Sequence, residues 1–227
     1  MTGRKQVTTG KHPGVKAIVT QAGTSEAGIE KAVVRLPKSL ALDPNNAQAL
    51  CEFVDGTKPD LENHCPKGSI VGRARAKTPL LKDDLVGNAY FVKNIRIDPD
   101  TGNEIRTLPM IVVALRGEIA VNLYGESSTT RGGKLVNTFA NVPDAPISRF
   151  NLNIKGGRNG ILAVTRTRRA KINLCAGRHI AEVENDGQNG RRHDLDVRMK
   201  TPCSKRQTRN AKRAAKKAAR KARNARR

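Results

Sequence analysis

The stretch CPKGSIVGRARAKTPLL, residues 65–81, decides the fold class of this chain. Two kinds of side chain alternate along it. One side carries Ile70, Gly72, Ala74 and Ala76, and the other carries Val71, Arg73, Arg75 and Lys77. Successive residues of a β-strand point to opposite faces of a sheet. The pattern therefore predicts a strand with a small apolar face toward the core and a cationic face toward solvent.

Short alternating or apolar segments follow one another through most of the chain, separated by turns rich in Gly, Pro and Asn. Residues 29–36 alternate, residues 110–115 are continuously apolar, and Asn189-Gly190 is a strong hairpin signal. We therefore expect an all-β protein. The expected architecture is an antiparallel β-sandwich over residues 15–203, built as one large or two small units with a division near residue 107.

The two ends and one internal segment depart from this pattern. Residues 1–14 are rich in Gly, Thr and Lys, and we expect a flexible lead-in there. Residues 204–227 form a separate Lys/Arg/Ala-rich tail. Between Ser39 and Cys51 the apolar spacing is compatible with a short helix that begins at Asp43-Pro44, where Asp caps and Pro takes the first helical position.

Composition indicates a folded, strongly basic protein. The chain has 227 residues, of which 37% are hydrophobic and 3% aromatic, so its core must be made of Val, Ile, Leu and Ala. The net charge is +23, and the tail contributes 12 Lys and Arg and no acidic residue. A polyanionic partner or surface is expected, although charge alone does not select one polyanion.

The four cysteines are expected to form two local disulfides. Cys51 and Cys65 flank a short polar loop. Cys175 and Cys203 each lie 14 residues from Asn189, so a hairpin folded at that point brings them opposite each other. A metal site made of Cys51, Cys65 and His64 is the weaker alternative, because adjacent side chains of an extended segment diverge.

The cysteines and the N-terminus indicate different compartments. Paired cysteines are typical of an oxidising environment, and hence of an extracellular or cell-envelope protein. The first 14 residues contain no apolar region of a signal peptide. Either the true start lies upstream, or the thiols stay reduced in a cytoplasmic protein. No run of about 18 apolar residues predicts a membrane span.

No catalytic or cofactor motif is recognisable in the sequence. GxSxG, GxxxxGK[ST] and HExxH are absent, and the four histidines lie mostly in polar segments. The stretch 98–103 favours a hairpin turn over a calcium loop. The stretch 156–160 favours a turn over an anion cradle. We therefore expect no enzyme activity, no cofactor and no metal.

The tail is the leading candidate for contact with a polyanion. Alanines from Ala211 to Ala225 form a narrow helical stripe, whereas Arg209, Arg213 and Lys217 repeat every fourth residue and repel one another. We expect the isolated tail to be disordered at low salt and helical on a polyanion; a solubilising tail without a partner is the alternative. The candidate polyanion-binding residues are Arg73, Arg75, Lys77, Lys212, Arg213, Lys216, Lys217, Arg220 and Lys221.

The order of several short motifs carries a family resemblance. These are LPKSLALDP (36–44), HCPKGSIVGRARAKTPLL (64–81), LVGNAYFVKN (85–94), LPMIVVALRG (108–117) and NVPDAPISRFNLNIKGG (141–157), followed by GQNG and TPC. From about Val15 to Cys203 the chain resembles the repeated β-rich modules of secreted or surface-attached actinobacterial proteins. The resemblance implies a β-rich architecture, export and paired cysteines, and carries over no catalytic residue.

These observations give two hypotheses about function. The first is a non-enzymatic exported or cell-surface β-module, or a fragment of a larger surface protein, with a polycationic tail for anionic envelope polymer. The second is an intracellular or phage-derived protein that binds DNA or RNA through the same tail. The sequence leaves the oligomeric state open.

Overall fold

The structure is a computed structural model, and it describes residues 1–21, 26–52, 60–98, 100–166 and 171–224. The strands are β1 (Val15–Thr20), β2 (Ile29–Arg35), β3 (Leu40–Leu42), β4 (Ile70–Lys77), β5 (Leu85–Val92), β6 (Ile95–Ile97), β7 (Glu104–Arg106), β8 (Met110–Arg116), β9 (Val121–Thr129), β10 (Leu135–Phe139), β11 (Arg149–Ile154), β12 (Leu162–Val164), β13 (Ile180–Gly187) and β14 (Arg192–Arg198). The α-helices are α1 (Leu61–His64) and α2 (Lys205–Asn224). Single 3₁₀ turns occupy Pro44–Asn46 and Lys67–Ser69.

From Gly72 onward, β4 has the two faces that its alternation predicts. At its start the prediction is wrong: the register shifts between Ile70 and Gly72, Val71 is buried in the inner core, and Ile70 packs on the outer apolar cluster. Gly72, Ala74 and Ala76 are buried, while the three cations between and after them are exposed. Alanine and glycine on the inner face leave room for larger side chains from neighbouring strands, so the strand serves as a thin wall of the core.

Ten strands form one antiparallel sheet in the order β1-β11-β4-β5-β8-β9-β10-β2-β13-β14. Side chains from β1 and β2, which are seven positions apart in that order, line the same interior space, so the sheet must curl on itself. The all-β antiparallel class is confirmed, and the two layers that face each other across the core belong to a single sheet. Because β5 pairs with β8, this sheet continues across the region near residue 107, where the alternative of two small units places a division.

A glycine makes room for an aromatic side chain inside the curl. Gly125 in β9 pairs with Phe139 in β10, and a Cβ atom at Gly125 would lie 2.5 Å from the Phe139 ring. That distance is shorter than carbon atoms tolerate, so any larger residue would displace the ring. Gly125 thus lets Phe139 lie against the inner face of the sheet.

The middle of the sheet is buried on both faces. On the outer face Tyr90, Val112 and Ala114 pack in one apolar cluster with Leu61 and the two cysteines Cys51 and Cys65. The segment that contains α1 therefore covers β5 and β8 from outside. This covering explains why residues 110–115 are continuously apolar rather than alternating.

The N-terminal segment is packed against the body, which corrects the expectation of a flexible lead-in over residues 1–14. Val7 is only 5% exposed, and its carbonyl accepts a hydrogen bond from the N–H of Leu174 at 2.7 Å. Thr2 and Gly14 exchange backbone hydrogen bonds of 2.7 and 3.2 Å. These backbone pairings with distant residues fix a polar segment that has no strong secondary-structure signal of its own.

The short helix expected before Cys51 is also corrected. Leu40–Leu42 forms β3, which pairs with β12, and only the single 3₁₀ turn Pro44–Asn46 follows it. The Asp43 side chain does not cap this turn; it lies 2.9 Å from Nε2 of His12. Pairing with β12 therefore outweighs the weak helical spacing of the leucines.

Both expected disulfides are present. Cys51 bonds to Cys65 with a Cα–Cα distance of 4.9 Å, and Cys175 bonds to Cys203 with a Cα–Cα distance of 5.8 Å. The β13–β14 hairpin pairs Val183 with Leu195, a register centred on Asn189. Carried outward from the strands, the same register places Cys175 opposite Cys203, which is the reason the sequence could predict this bridge.

Candidate functional site: two cationic surfaces and an apolar cavity

The C-terminal helix α2 begins with a capping box. The Ser204 hydroxyl accepts a hydrogen bond from the Gln207 N–H at 3.2 Å, and the Gln207 side-chain oxygen accepts one from the Ser204 N–H at 2.9 Å. This reciprocal pair satisfies two backbone donors at the helix start that otherwise lack partners. The motif Ser204-x-x-Gln207 is present in the sequence but was not predicted as a cap, because the dense cations that follow dominate this segment.

The first turns of α2 are held on the body. Ala211 is 6% exposed and belongs to the same apolar cluster as Val7 and Leu174. The Gln207 side chain also donates a hydrogen bond to the Arg4 carbonyl at 3.4 Å. These contacts, and the disulfide at Cys203, explain why the tail is helical here although repulsion between its cations opposes helix formation. Disorder of the isolated tail stays a prediction.

The cations of α2 lie on one face. Each residue advances about 100° around a helix, so the cations from Arg209 to Arg220 fall within an arc of about 140°. The cationic face consists of Arg209, Lys212, Arg213, Lys216, Lys217 and Arg220. Alanines occupy the opposite arc. Lys221 belongs to α2, but its side chain lies outside the described part of the structure.

The second half of the helix is exposed on every side. All residues from 212 to 220 are exposed, the alanines included, although they span more than two turns. No surface of the described body therefore covers this part of α2. The first turn of α2 contains no acidic residue. The arrangement presents a row of cations on one rigid element, which suits electrostatic contact with a linear polyanion.

A second cationic surface lies on the outer face of β1, β11 and β4, and we call it the cationic flank. The strand register brings together cations from all three strands. Arg149 is the direct partner of Lys77, and Lys16 and Arg73 lie on either side of Asn153. The four cations Lys16, Arg73, Lys77 and Arg149 are exposed, and no ion pair to them is found among the described residues.

The structure separates the three cations that the sequence grouped on β4. Arg75 donates through Nε to the Asp84 carboxylate at 2.6 Å, so its charge is partly neutralised within the protein. Arg73 and Lys77 are exposed and stay candidates for contact with a polyanion. Lys16 and Arg149 were missed, because each lies on the solvent side of its own strand and only the long-range pairing of β1 and β11 with β4 reveals their proximity.

The opposite end of the sheet, the outer face of β2, β13 and β14, is an ion-paired flank. Arg35 contacts Glu184, which also lies 3.1 Å from Arg192, and Arg192 in turn lies 2.9 Å from Asp194. Lys31 is 3.9 Å from Asp186. The hydrogen bond from Arg35 lowers the pKa of Glu184 below its ordinary value. Here the cations are matched by acids of the neighbouring strand.

An apolar cavity of about 250 Å³ lies inside the curl of the sheet. For scale, a buried cavity of about 150 Å³ that is lined by apolar side chains remains dry and binds benzene. Strands from both ends of the sheet contribute walls, among them Ala17 and Val19 of β1, Val34 of β2, Phe139 of β10 and Leu152 of β11.

The cavity is closed at one end and open at the other. The closed end is formed by buried side chains, including those of Leu36, Ile154, Ile161 and Leu162. At the open end, which we call the mouth, Val19 is 38% and Ile119 46% exposed although both line the cavity. The mouth also includes the segment from Val142 to Ile147, which leads into β11.

Two side chains of the described residues are arranged like a nucleophile and a base. The Ser39 hydroxyl lies 2.8 Å from Nδ1 of His179, and Nε2 of His179 donates to the Leu174 carbonyl at 2.9 Å. His179 is 7% exposed, and burial lowers its pKa below the ordinary value of 6.5. A backbone carbonyl thus takes the position that a carboxylate holds in a catalytic triad. The two hydrogen bonds tie His179, directly before β13, to Ser39 and to Leu174.

Neither a metal cluster nor a membrane-spanning helix is found in the part of the chain that the structure describes. No group of three or more His, Cys, Asp or Glu side chains there could hold a metal ion. None of the described helices combines the length and the apolar character that crossing a bilayer requires.

Comparison with known proteins gives no relative: no family model, no curated protein and no solved structure matches the chain.

Proposed function

We propose that this protein is an exported, non-enzymatic β-sheet protein that attaches to an anionic polymer of the cell envelope through the cationic face of α2. The observation that carries the proposal is the geometry of α2: six cations lie on one arc of a helix that is exposed on every side from residue 212 to residue 220. The disulfide-linked body holds the start of that helix in place.

The contact is expected to be electrostatic. The alanine face offers too little apolar surface for insertion into a membrane. A linear polymer that lies along the cationic face meets successive Lys and Arg side chains at each turn and releases its counterions, so its affinity falls steeply as salt rises. The cationic flank, with Lys16, Arg73, Lys77 and Arg149, offers a second and weaker contact.

Nucleic acid is the alternative polyanion, because the major groove of DNA admits a helix of this kind. The two disulfides favour the envelope polymer, since disulfides persist in oxidising compartments and are rare in the cytosol. DNA binding is therefore an outcome that the experiment must be able to reveal.

The test compares three proteins against poly(glycerol phosphate) and duplex DNA at matched ionic strength. The proteins are the full chain, a truncation after Cys203, and a variant with K212A, A214K, K216A and A218K. The last variant keeps composition and net charge but spreads the cations around the helix. We expect truncation to weaken polymer binding at least tenfold, and the spread arrangement to weaken it severalfold.

Three results would count against the proposal. If truncation leaves affinity unchanged, α2 is not the binding element, and the cationic flank becomes the candidate. If the spread variant binds like the full chain, net charge rather than the cationic face is responsible. If duplex DNA binds more tightly than poly(glycerol phosphate) at the same ionic strength, the nucleic-acid alternative is favoured.

A further inference from the structure

The cavity inside the sheet is not explained by polyanion binding. It lies within the curl, whereas both cationic surfaces lie outside, and its lining side chains are almost all apolar. We propose that this cavity is a binding site for a single unbranched acyl chain, such as that of a fatty acid or a single-chain lipid, which enters through the mouth with its polar end left in solvent.

The chemistry of the lining selects an apolar occupant. Gln21, Thr78 and Asn137 are the polar side chains among the lining residues, and each already has a partner within the protein. Gln21 donates to the Ala27 carbonyl at 2.8 Å, Thr78 accepts from the Leu80 N–H at 3.2 Å, and Asn137 accepts from the Ser127 hydroxyl at 3.0 Å. A ligand with polar groups along its length would therefore lose its hydrogen bonds to water on entry.

The shape of the cavity selects a chain. Val15, Ala17 and Val19 line it from one end of β1 to the other, which corresponds to a length of roughly 13 Å at the rise of an extended strand. The cavity is therefore elongated along β1, and this shape matches an extended acyl chain.

The position of the mouth selects an amphiphile. The closed end is buried beneath Leu36, Ile161 and Leu162, so a ligand can enter only from the end where Val19 and Ile119 are exposed. A molecule that is apolar along one chain and polar at one end satisfies both regions at once: the chain covers the apolar walls, and the headgroup stays at the mouth in contact with water.

A tryptophan reporter tests the location directly, because the chain contains no natural tryptophan. Val19→Trp places the indole at the mouth on the cavity side of β1, whereas Ile18→Trp places it on the outer face of the same strand. Dibromostearic acid, whose bromine atoms quench indole on contact, should quench Val19→Trp saturably and leave Ile18→Trp largely unquenched. Excess stearic acid should reverse the quenching.

A blocking variant tests the same site in the otherwise native protein. Ala17→Phe should fill the cavity and weaken binding of stearic acid and of a single-chain lysophospholipid at least tenfold, as measured by native mass spectrometry. Ile18→Phe, on the outer face, is the matched control and should bind like the unmodified protein. Comparison of the two probes shows whether the source of the chain is a free acid or a lipid.

The proposal fails if the unmodified protein binds neither probe saturably. It also fails if both tryptophan variants are quenched equally, which would indicate adsorption to the surface, or if a folded Ala17→Phe variant binds as tightly as the Ile18→Phe control. Should Ala17→Phe not fold, the reporter pair decides alone. Truncation after Cys203 should leave chain binding unchanged, so this test is independent of the proposed polymer contact.

Discussion

The two ends of the curled sheet carry cations on their outer faces and use them differently. On the ion-paired flank Arg35 and Lys31 lie beside Glu184 and Asp186 of the next strand. On the cationic flank, β11 lies between β1 and β4 and places Asn153 between Lys16 and Arg73. Among the described residues, no carboxylate forms an ion pair with these two cations. The strand register thus decides whether a cation is neutralised inside the protein or left for an external anion.

This difference separates two roles for charge. Paired cations contribute modestly to stability and have little attraction left for a polymer. Unpaired cations repel one another in the free protein, and this repulsion is reduced only when an anion binds. The exposed part of α2 belongs to the second kind.

The largest effect is expected at the bridge that closes the ion-paired hairpin and precedes α2. Replacing Cys175 and Cys203 by Ser should lower the free energy of unfolding by roughly 3–4 kcal/mol, because the bridge closes a loop with a sequence separation of 28 residues. Urea unfolding under non-reducing conditions measures this. The matched control replaces Cys51 and Cys65, whose separation is 14. A negligible loss at Cys175 and Cys203 would show that ion pairs alone hold the hairpin.

Acid should destabilise the ion-paired flank where β13 begins, next to His179. Burial lowers the pKa of His179, which lies directly before β13, so the folded state holds this side chain neutral. The unfolded state binds the proton more readily, and the stability present above pH 6.5 is lost progressively as the pH falls below that value toward the folded-state pKa.

The measurement is the midpoint of urea unfolding between pH 7.5 and 5.0 for the unmodified protein, His179→Gln and the exposed control His193→Gln. His179→Gln should cost about 1–3 kcal/mol at pH 7.5, because the Ser39 hydroxyl loses its buried acceptor. The midpoint of urea unfolding should also fall less steeply with decreasing pH in His179→Gln, whereas in His193→Gln it should fall as steeply as in the unmodified protein. Equal slopes in all three proteins would refute this role of His179.

The capping box should control the helicity of α2. Ser204→Ala removes the acceptor for the Gln207 N–H and should destabilise the helix by about 1 kcal/mol. Far-ultraviolet circular dichroism as a function of temperature measures the loss as earlier fraying of α2. Asn210→Ala, an exposed position of the same helix, serves as control and should fray no earlier than the unmodified protein.

The smallest effect distinguishes the two flanks directly. Arg35→Ala removes the partner of Glu184 and should lower Tm by about 1–3 °C at neutral pH, whereas Arg73→Ala should leave Tm within experimental error. Arg35 lowers the pKa of Glu184, so this stabilisation is present above the unfolded pKa of that carboxyl and is lost as pH falls through the folded value. A larger drop for Arg73→Ala than for Arg35→Ala would reverse the assignment of the flanks.

Features that depend on residues close together in the sequence could be predicted from local patterns. The alternation of residues 72–77 predicted the two faces of that part of β4, and the Asn189-Gly190 turn predicted both the register of the last hairpin and the Cys175–Cys203 bridge. The curl and its cavity were not predictable in this way. They depend on the pairing of β1 with β11 and of β2 with β10, which joins residues more than 100 positions apart.

The same limit applies to the candidate sites. The cations of α2 are consecutive in the sequence, so their helical face could be read from it. Lys16 and Arg149 could not be assigned to the surface of Arg73 and Lys77 without the strand order. The packing of Val7 against Leu174 was missed for the same reason, because a polar N-terminal segment shows no periodicity that would reveal its partner.

The most direct test of the account compares two variants that each remove three positive charges. One carries Lys212→Ala, Lys216→Ala and Arg220→Ala on the cationic face of α2, and the other carries Lys31→Ala, Arg35→Ala and Arg192→Ala on the ion-paired flank. The measurement is the affinity for poly(glycerol phosphate) at fixed ionic strength, with Tm recorded for both. We expect at least a tenfold loss of affinity with unchanged Tm for the first variant, and a lower Tm with unchanged affinity for the second. Equal losses of affinity in both would contradict it, because net charge rather than the placement of unpaired cations would then govern binding.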